Sequence, residues 1–297
     1  MSDYYKGVLF ALFSASGFGI VPIMAIFAYN GGVGVFTLLF SRFLLASLIL
    51  FVFIFFRKKK INLDLKNTLL LFIQGGVIYA LFSMLYFTSV KIISPSLAVL
   101  IFYTYPIIVA VLSFILEGEK INAKIIISII ISFVGLVLLL EGQFQDVDKA
   151  GILMAAGAAV SYGIYTIYGS RMLKKVSLMV TTAFVSLFAG ISFFVIGLIT
   201  DRLHFQFESI SWIFIIIITF ITAGGFLAFF AGVKLIKPTF VSILSMIEPI
   251  VTIILSVILF SDKFSFVQAV GIILVLSGAS LIFIKKNILK NIKFSKK

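Results

Sequence analysis

Runs of about twenty apolar residues follow one another along this chain, joined by short charged connections. A helix of that length, rising 1.5 Å per residue, crosses the hydrocarbon core of a bilayer. The runs are continuous and do not alternate, which excludes a β-barrel and predicts membrane-spanning helices. Ten spans are expected: Gly7–Tyr29, Val35–Phe56, Thr68–Val90, Pro95–Leu116, Ile121–Leu140, Gly151–Ser170, Leu178–Thr200, Ser211–Val233, Pro238–Phe260 and Phe264–Ile284. Of the 297 residues, 62% are hydrophobic and only 12% charged, too few for the surface of a water-soluble domain this large. The first run is too long for a signal-peptide core and lacks a small-x-small cleavage site, so it reads as a retained span. The fold class is therefore all-α, polytopic and membrane-embedded.

The charges set an expected orientation. One set of connections holds Lys6; Arg57, Lys58, Lys59, Lys60 and Lys66; Lys120 and Lys124; Arg171, Lys174 and Lys175; Lys234 and Lys237; and the tail from Lys285. The alternate set holds only Lys91, Lys149, Arg202 and Lys263. Lysine and arginine stay on the cytoplasmic side, so both termini are expected in the cytoplasm of a cell-membrane protein. The formal charge of +13 is then a topology signal and not a nucleic-acid footprint.

A repeat constrains the architecture further. Pro95 to Pro106, PSLAVLIFYTYP, aligns without a gap to Pro238 to Pro249, PTFVSILSMIEP. Gly7-Val-Leu-Phe-Ala and Phe18-Gly19-Ile20 return as Gly151-Ile-Leu-Met-Ala and Tyr162-Gly163-Ile164. Val90-Lys91 and Pro95 match Val233-Lys234 and Pro238, Glu119-Lys120 matches Asp262-Lys263, and Gly135 matches Gly278. Residues 1–143 and 144–284 thus read as two five-span units, with 285–297 as a basic cytoplasmic tail. Five is odd, so the second unit enters the membrane upside down. Inverted repeats of this kind place a site near the midplane between the halves. Ala11, Ala15 and Gly19, and their copies Ala155, Ala159 and Gly163, form small-residue stripes that allow close helix approach in lipid.

Phe18-Gly19, Tyr162-Gly163, Ser41-Arg42-Phe43-Leu44-Leu45-Ala46, Gly118-Glu119-Lys120, Glu248-Pro249 and glycines 135 and 278 together resemble the bacterial EamA-type members of the drug/metabolite transporter superfamily. Two departures stand out: Phe18-Gly19 replaces the usual Trp-Gly, and Ser261-Asp262 replaces the second Gly-Glu. The resemblance covers nearly the whole chain. It implies ten helices, alternating access around a cavity lined mainly by spans 1, 3, 4, 6, 8 and 9, and transport of a small metabolite, often an amino acid.

Glu248 leads the candidate site. It is the one carboxylate inside span nine and lies near its midpoint, where a charge costs at least about 2.5 kcal/mol unless it serves a purpose. It is expected to couple a proton or recognise a cation; the bland reading is a glutamate bonded to a carbonyl freed by Pro249. Arg42, about one turn from the middle of span two, could bind a carboxylate bidentately. Its bland reading, an ion pair or snorkelling, is favoured by the peripheral place of span two in the resembled family. Tyr79, Ser83 and Tyr86 fall on one face of span three, Tyr103 and Tyr105 lie within span four, and Tyr162 and Tyr165 within span six. Mid-span tyrosines need partners for their hydroxyls and can wall a cavity around an aromatic or cationic substrate. Gln74 is a weaker polar candidate. Pro95, Pro106, Pro238 and Pro249 are the expected hinges.

Other classes are disfavoured. The chain has no cysteine and one histidine, so neither thiolate chemistry nor a histidine metal cluster is expected. There is no Gly-rich phosphate loop for an ATPase motor, and the clustered polar residues of a membrane enzyme are missing. No catalytic residue, cofactor or metal is expected, and the anticipated partners are a small-molecule substrate, protons and the bilayer. A channel would need polar rings that these spans lack. The expected function is a secondary carrier for an amino acid or related metabolite, in the export direction. The alternative is a carrier, in either direction, of an organic cation, amine or drug-like compound.

Overall fold

The computed structural model describes residues 2–58, 61–140 and 148–281, so Lys59, Lys60 and the basic tail lie outside it. Ten helical spans follow in order: α1 Asp3–Asn30, α2 Val35–Phe56, α3 Leu65–Ile92, α4 Pro95–Glu117, α5 Ala123–Leu140, α6 Lys149–Met172, α7 Leu178–Ile199, α8 Ser211–Ile236, α9 Pro238–Phe260 and α10 Phe266–Leu281. Nine are long and apolar enough to cross a membrane, and α10 is apolar up to Leu281, where the described residues end. No strand occurs among the described residues.

Three spans are irregular, each for a local reason. In α3 the segment Ile73–Tyr79 winds as a π-helix around the Gly75-Gly76 pair. Gly75 is held against the Val185 backbone, where a Cβ would lie 2.9 Å from the carbonyl carbon. In α4 the helix stops at Phe102 and restarts at Tyr105. In α9 Ser245–Ile247 tightens to a 3₁₀ turn before the helix resumes at Glu248. Pro106 and Pro249 follow these two breaks. Each lacks an N–H and crowds the carbonyl four residues earlier, so neither helix can run through. The breaks fall at matching positions of the two repeats, as the aligned prolines require. Pro95 and Pro238, by contrast, occupy the first turns of their helices, where the missing N–H costs nothing.

The span ends also repeat, with one difference. Gly118 closes α4 at φ 66°, and its counterpart Ser261 closes α9 at φ 58°. Glycine adopts this left-handed conformation freely, whereas a residue with a Cβ carries about 1 kcal/mol of strain. Ser261→Gly is therefore expected to stabilise the protein by about 1 kcal/mol. A thermal unfolding curve in detergent checks this; an unchanged or lower midpoint would contradict it.

The helix pairings show the two-fold relation between the repeats. Helix α1 packs on α8 and α6 packs on α3; α1 meets α9 and α6 meets α4; α2 meets α8 and α7 meets α3. Exchanging each helix for the one five places on turns each of these pairings into another of them. Three further pairings, α2 with α7, α4 with α9 and α5 with α10, map onto themselves and mark where the axis passes. The predicted small-residue stripes serve these contacts. Ala11, Ala15, Ala155 and Ala159 are fully buried. Gly19 lies against α9, where a Cβ would come within 2.6 Å of the Glu248 carbonyl oxygen. Gly163 lies against α4 in the equivalent way, 2.8 Å from Ile108. Lipid offers no hydrophobic drive between helices, so such close approach supplies the packing energy.

Candidate functional site

The two broken helices meet. Glu248, half-buried at the break in α9, accepts a hydrogen bond on Oε2 from the Tyr103 hydroxyl at 3.2 Å, and Tyr103 sits in the break of α4. The Tyr105 hydroxyl donates to the Ser242 carbonyl at 3.3 Å. Ser245, one turn before Glu248, lies beside both that carboxylate and the Tyr105 hydroxyl. Thr252, one turn after, donates to the Gly19 carbonyl at 2.7 Å and fixes α9 to α1 at the depth of the break. Glu248 thus points into the protein and not into the acyl chains.

An aromatic wall continues from this joint. The ring of Tyr162 stands 4.8 Å from Tyr105, 4.9 Å from Phe82 and 5.6 Å from Tyr165, centroid to centroid. Tyr165 reaches Tyr79 at 5.2 Å, and Tyr79 reaches Phe43 at 5.2 Å and Phe226 at 5.6 Å. Tyr79, Tyr103, Tyr105, Tyr162 and Tyr165 are all buried. The structure therefore brings these five rings together with Glu248.

Arg42 joins the same interior. Its guanidinium lies 4.6 Å over the Phe43 ring and near the Tyr79 hydroxyl. Its Nε is buried with no partner, and among the described residues no carboxylate lies within ion-pair distance. Arg42 is half-buried and is not paired with Glu248. Tyr79 feels both charges, Arg42 at contact and Glu248 from farther off. Helix α2 is thus less peripheral than the resemblance implied.

Two cavities adjoin this wall. One of about 320 Å³ holds Glu248, with Phe18, Tyr86, Phe102, Tyr103 and Thr252 among its lining residues. The other, about 400 Å³, lies between α2, α3 and α7 and is lined by Leu39, Ser83, Phe87, Thr88 and Phe193. Lys91 and Arg202 also line it, and it lies toward the face that carries few lysines and arginines. Ser83 lines the larger of these two cavities and Tyr86 the smaller, though both were expected on one face of α3. Three residues advance a helix by about 300°, so the two side chains diverge by about 60° and meet different spaces. Helix α7, absent from the implied lining, contributes to the larger cavity.

Gln74 is fully buried in the π-helical segment, and neither end of its amide has a partner. Ser245 and Thr252 were missed by sequence reasoning. Their spacing of −3 and +4 from Glu248 puts them on its helix face and was the available signal. No group of histidine, cysteine, aspartate or glutamate able to hold a metal occurs among the described residues.

Known proteins agree with this architecture. A solved structure described only as "Crystal structure of protein" matches 94% of this chain and 96% of its own length with a TM-score of 0.81 at 18% identity, which speaks to the fold alone. The chain is 26% identical to the "Uncharacterized transporter YetK" of Bacillus subtilis over 82% of this chain and 77% of that protein. It is 24% identical to an "Uncharacterized transporter" of Clostridium kluyveri over 92% of each. The model of the EamA-like transporter family matches twice, at residues 5–141 and 149–284, once for each half of the helix set. A multi-pass chain of ten helices in two inverted repeats, matched over nearly its whole length, belongs to the EamA-like transporter family.

Proposed function

We propose that this transporter is a secondary carrier that moves a zwitterionic small metabolite, an amino acid or a related compound, across the cytoplasmic membrane by alternating access. The observation that carries the reading is the placement of Glu248 and Arg42 on one tyrosine-walled interior, with Tyr79 between their fields. Glu248 would receive an ammonium or a proton, Arg42 a carboxylate, and the rings of Tyr79, Tyr103, Tyr105, Tyr162 and Tyr165 would enclose the apolar body. A bidentate guanidinium–carboxylate contact and cation–π contacts suit such a ligand. Ser83 and Tyr86 line the approaches. The face bearing most lysines and arginines is taken as cytoplasmic, with both termini there. Export is taken from the family resemblance. Pro106 and Pro249, at the two breaks, are the proposed hinges, and Pro95 and Pro238 fix where those helices begin. No enzymatic step is assigned to the chain.

The second reading, carriage of an organic cation or amine, is favoured by the aromatic wall around a lone carboxylate and leaves Arg42 without a ligand. Thermal shift of the purified protein against amino acids, their decarboxylated amines and their deaminated acids separates the two, since a true ligand raises apparent stability. The zwitterion reading expects amino acids to stabilise wild type, and Arg42→Gln to lower their affinity about tenfold or more while sparing amines. Equal stabilisation by amines and amino acids, unchanged in Arg42→Gln, would support the amine reading instead.

A further inference from the structure

The two faces of the molecule carry equivalent residues in different states. On the basic face a seam joins the repeats. Glu117 at the end of α4 binds Arg171 at 3.0 Å, from the end of α6, and also Lys174 in the turn that follows. Arg171 donates to the Leu116 carbonyl at 2.8 Å. Two residues on, Glu119 is buried, and its Oε2 accepts from the Thr239 hydroxyl in the first turn of α9 at 2.9 Å. Its Oε1 has no hydrogen bond, and Lys237 stands 3.8 Å from it. Lys237 itself is held at φ 87° and ψ 147°, a conformation strained for any residue with a Cβ.

On the opposite face, the register of the repeats gives Phe260, Phe27 and Asn30 in place of Glu117, Arg171 and Lys174, and polar counterparts for the other three. Asp262 corresponds to Glu119, Ser96 to Thr239 and Ser94 to Lys237. Asp262 is exposed and bonds only Ser256 of its own helix; no hydrogen bond joins it to Ser96. Ser94 has a relaxed backbone, φ −56° and ψ 141°. The cavities show the same asymmetry. Phe87, Thr88 and Val90 line the 400 Å³ cavity, while their counterparts Phe230, Ala231 and Val233 are buried. The side with the unmade seam opens into the larger cavity, about 400 Å³, and the side with the made seam keeps a smaller one of about 290 Å³ lined by Glu117, Glu119, Lys174 and Lys237.

We propose that Glu119 with Thr239 is a latch that holds the basic side closed, and that Asp262 with Ser96 is a second latch made in its place when the opposite side closes. The inference rests on the alternating-access reading and adds the residues that set which side is shut. In a two-state molecule a contact made in one state alone biases the equilibrium by its full strength. A buried carboxylate that accepts one hydroxyl and leaves one oxygen without a hydrogen bond is a weak latch, suited to being opened. The strain at Lys237 is released when it opens.

The chain has no cysteine, so single reporters can be introduced cleanly. Thr88→Cys reports the open side and its counterpart Ala231→Cys the closed side; the readout is the rate of labelling of purified protein by a water-soluble maleimide. In the otherwise unchanged protein Thr88→Cys should label fast and Ala231→Cys slowly. Glu119→Gln should raise the Ala231→Cys rate about tenfold, the scale of weakening a charge-assisted hydrogen bond to a neutral one, and lower the Thr88→Cys rate. Thr239→Val, a nearly isosteric change, should act in the same direction and covers the case in which Glu119→Gln does not fold. Adding Asp262→Asn to Glu119→Gln should return both rates toward their starting values. Unchanged rates in a folded Glu119→Gln or Thr239→Val protein would overturn the first latch, and no reversal by Asp262→Asn would overturn the second. These rates report conformation without substrate, so they are separable from the carrier reading. That reading fails instead if no metabolite binds or moves.

Discussion

Glu248→Gln is expected to lower transport about 100-fold at saturating substrate while leaving the protein folded and monodisperse. The change keeps the shape of the side chain and its ability to accept from Tyr103, so the α4–α9 joint persists. What it removes is the charge. Truncating one partner of a buried, hydrogen-bonded charge contact costs about 2–5 kcal/mol, and about 2.7 kcal/mol is a factor of one hundred. Counterflow in proteoliposomes measures the loss, and a scan of external pH tests the coupling: a carboxyl that carries the coupled proton makes wild-type flux depend on pH, and the amide abolishes that dependence. Near-normal flux with an intact pH profile in Glu248→Gln would reduce the carboxylate to a structural group. Glu248→Asp is the companion variant. It restores the charge one methylene short of Tyr103, so it should recover part of the activity and the pH profile with it.

Much of this was legible in the residues because membrane helices leave few choices. An apolar run of about twenty residues has one way to satisfy its backbone in lipid, and an odd-numbered repeat has one way to be threaded. Proline registers as a break wherever it falls, so Pro106 and Pro249 announced the joint. Glu248 was legible because a charge at that depth is expensive, and the tyrosines because a mid-span hydroxyl is expected to find a partner, although that of Tyr165 is buried without one. The rest depended on rotation about helix axes, which apolar sequences barely encode. Ser83 and Tyr86 part company over one turn. Arg42 turns inward onto Phe43 and Tyr79, although nothing in α2 marks that side. The latch at Glu119 was legible only as a charged span end, since its partner Thr239 is distant in sequence and ordinary in type. Which of the two latches is made cannot be read at all: both repeats carry a carboxylate and a hydroxyl at those positions, and the choice belongs to the conformation.

The second large effect concerns glycines that the repeat brings to its own axis. Where α5 meets α10, Gly135, Gly271 and Gly278 let the two backbones touch. A Cβ on Gly135 would lie 2.6 Å from the Val275 nitrogen and 2.8 Å from the Gly271 carbonyl oxygen. On Gly271 it would lie 2.6 Å from the Leu139 nitrogen, and on Gly278 2.8 Å from the Ser128 carbonyl oxygen. These obstacles are main chain, so no rotamer can yield and the helices must part. Parting them forfeits van der Waals contact along the interface, which is the main force pairing helices in lipid. Gly135→Ala is therefore expected to destabilise the protein by about 3 kcal/mol, the upper end of the range for overpacking, despite the better helix propensity of alanine. Gly224, in α8, supplies the contrast, for its nearest neighbour would be the edge of Phe13 at 3.9 Å. With that room, Gly224→Ala should be neutral or stabilise by up to about 1 kcal/mol through propensity alone. Thermal unfolding followed by size-exclusion chromatography compares the two on one scale. Propensity predicts the same sign at both sites, and close packing predicts opposite signs, so equal midpoints would show that α5 and α10 do not meet through their backbones in the membrane.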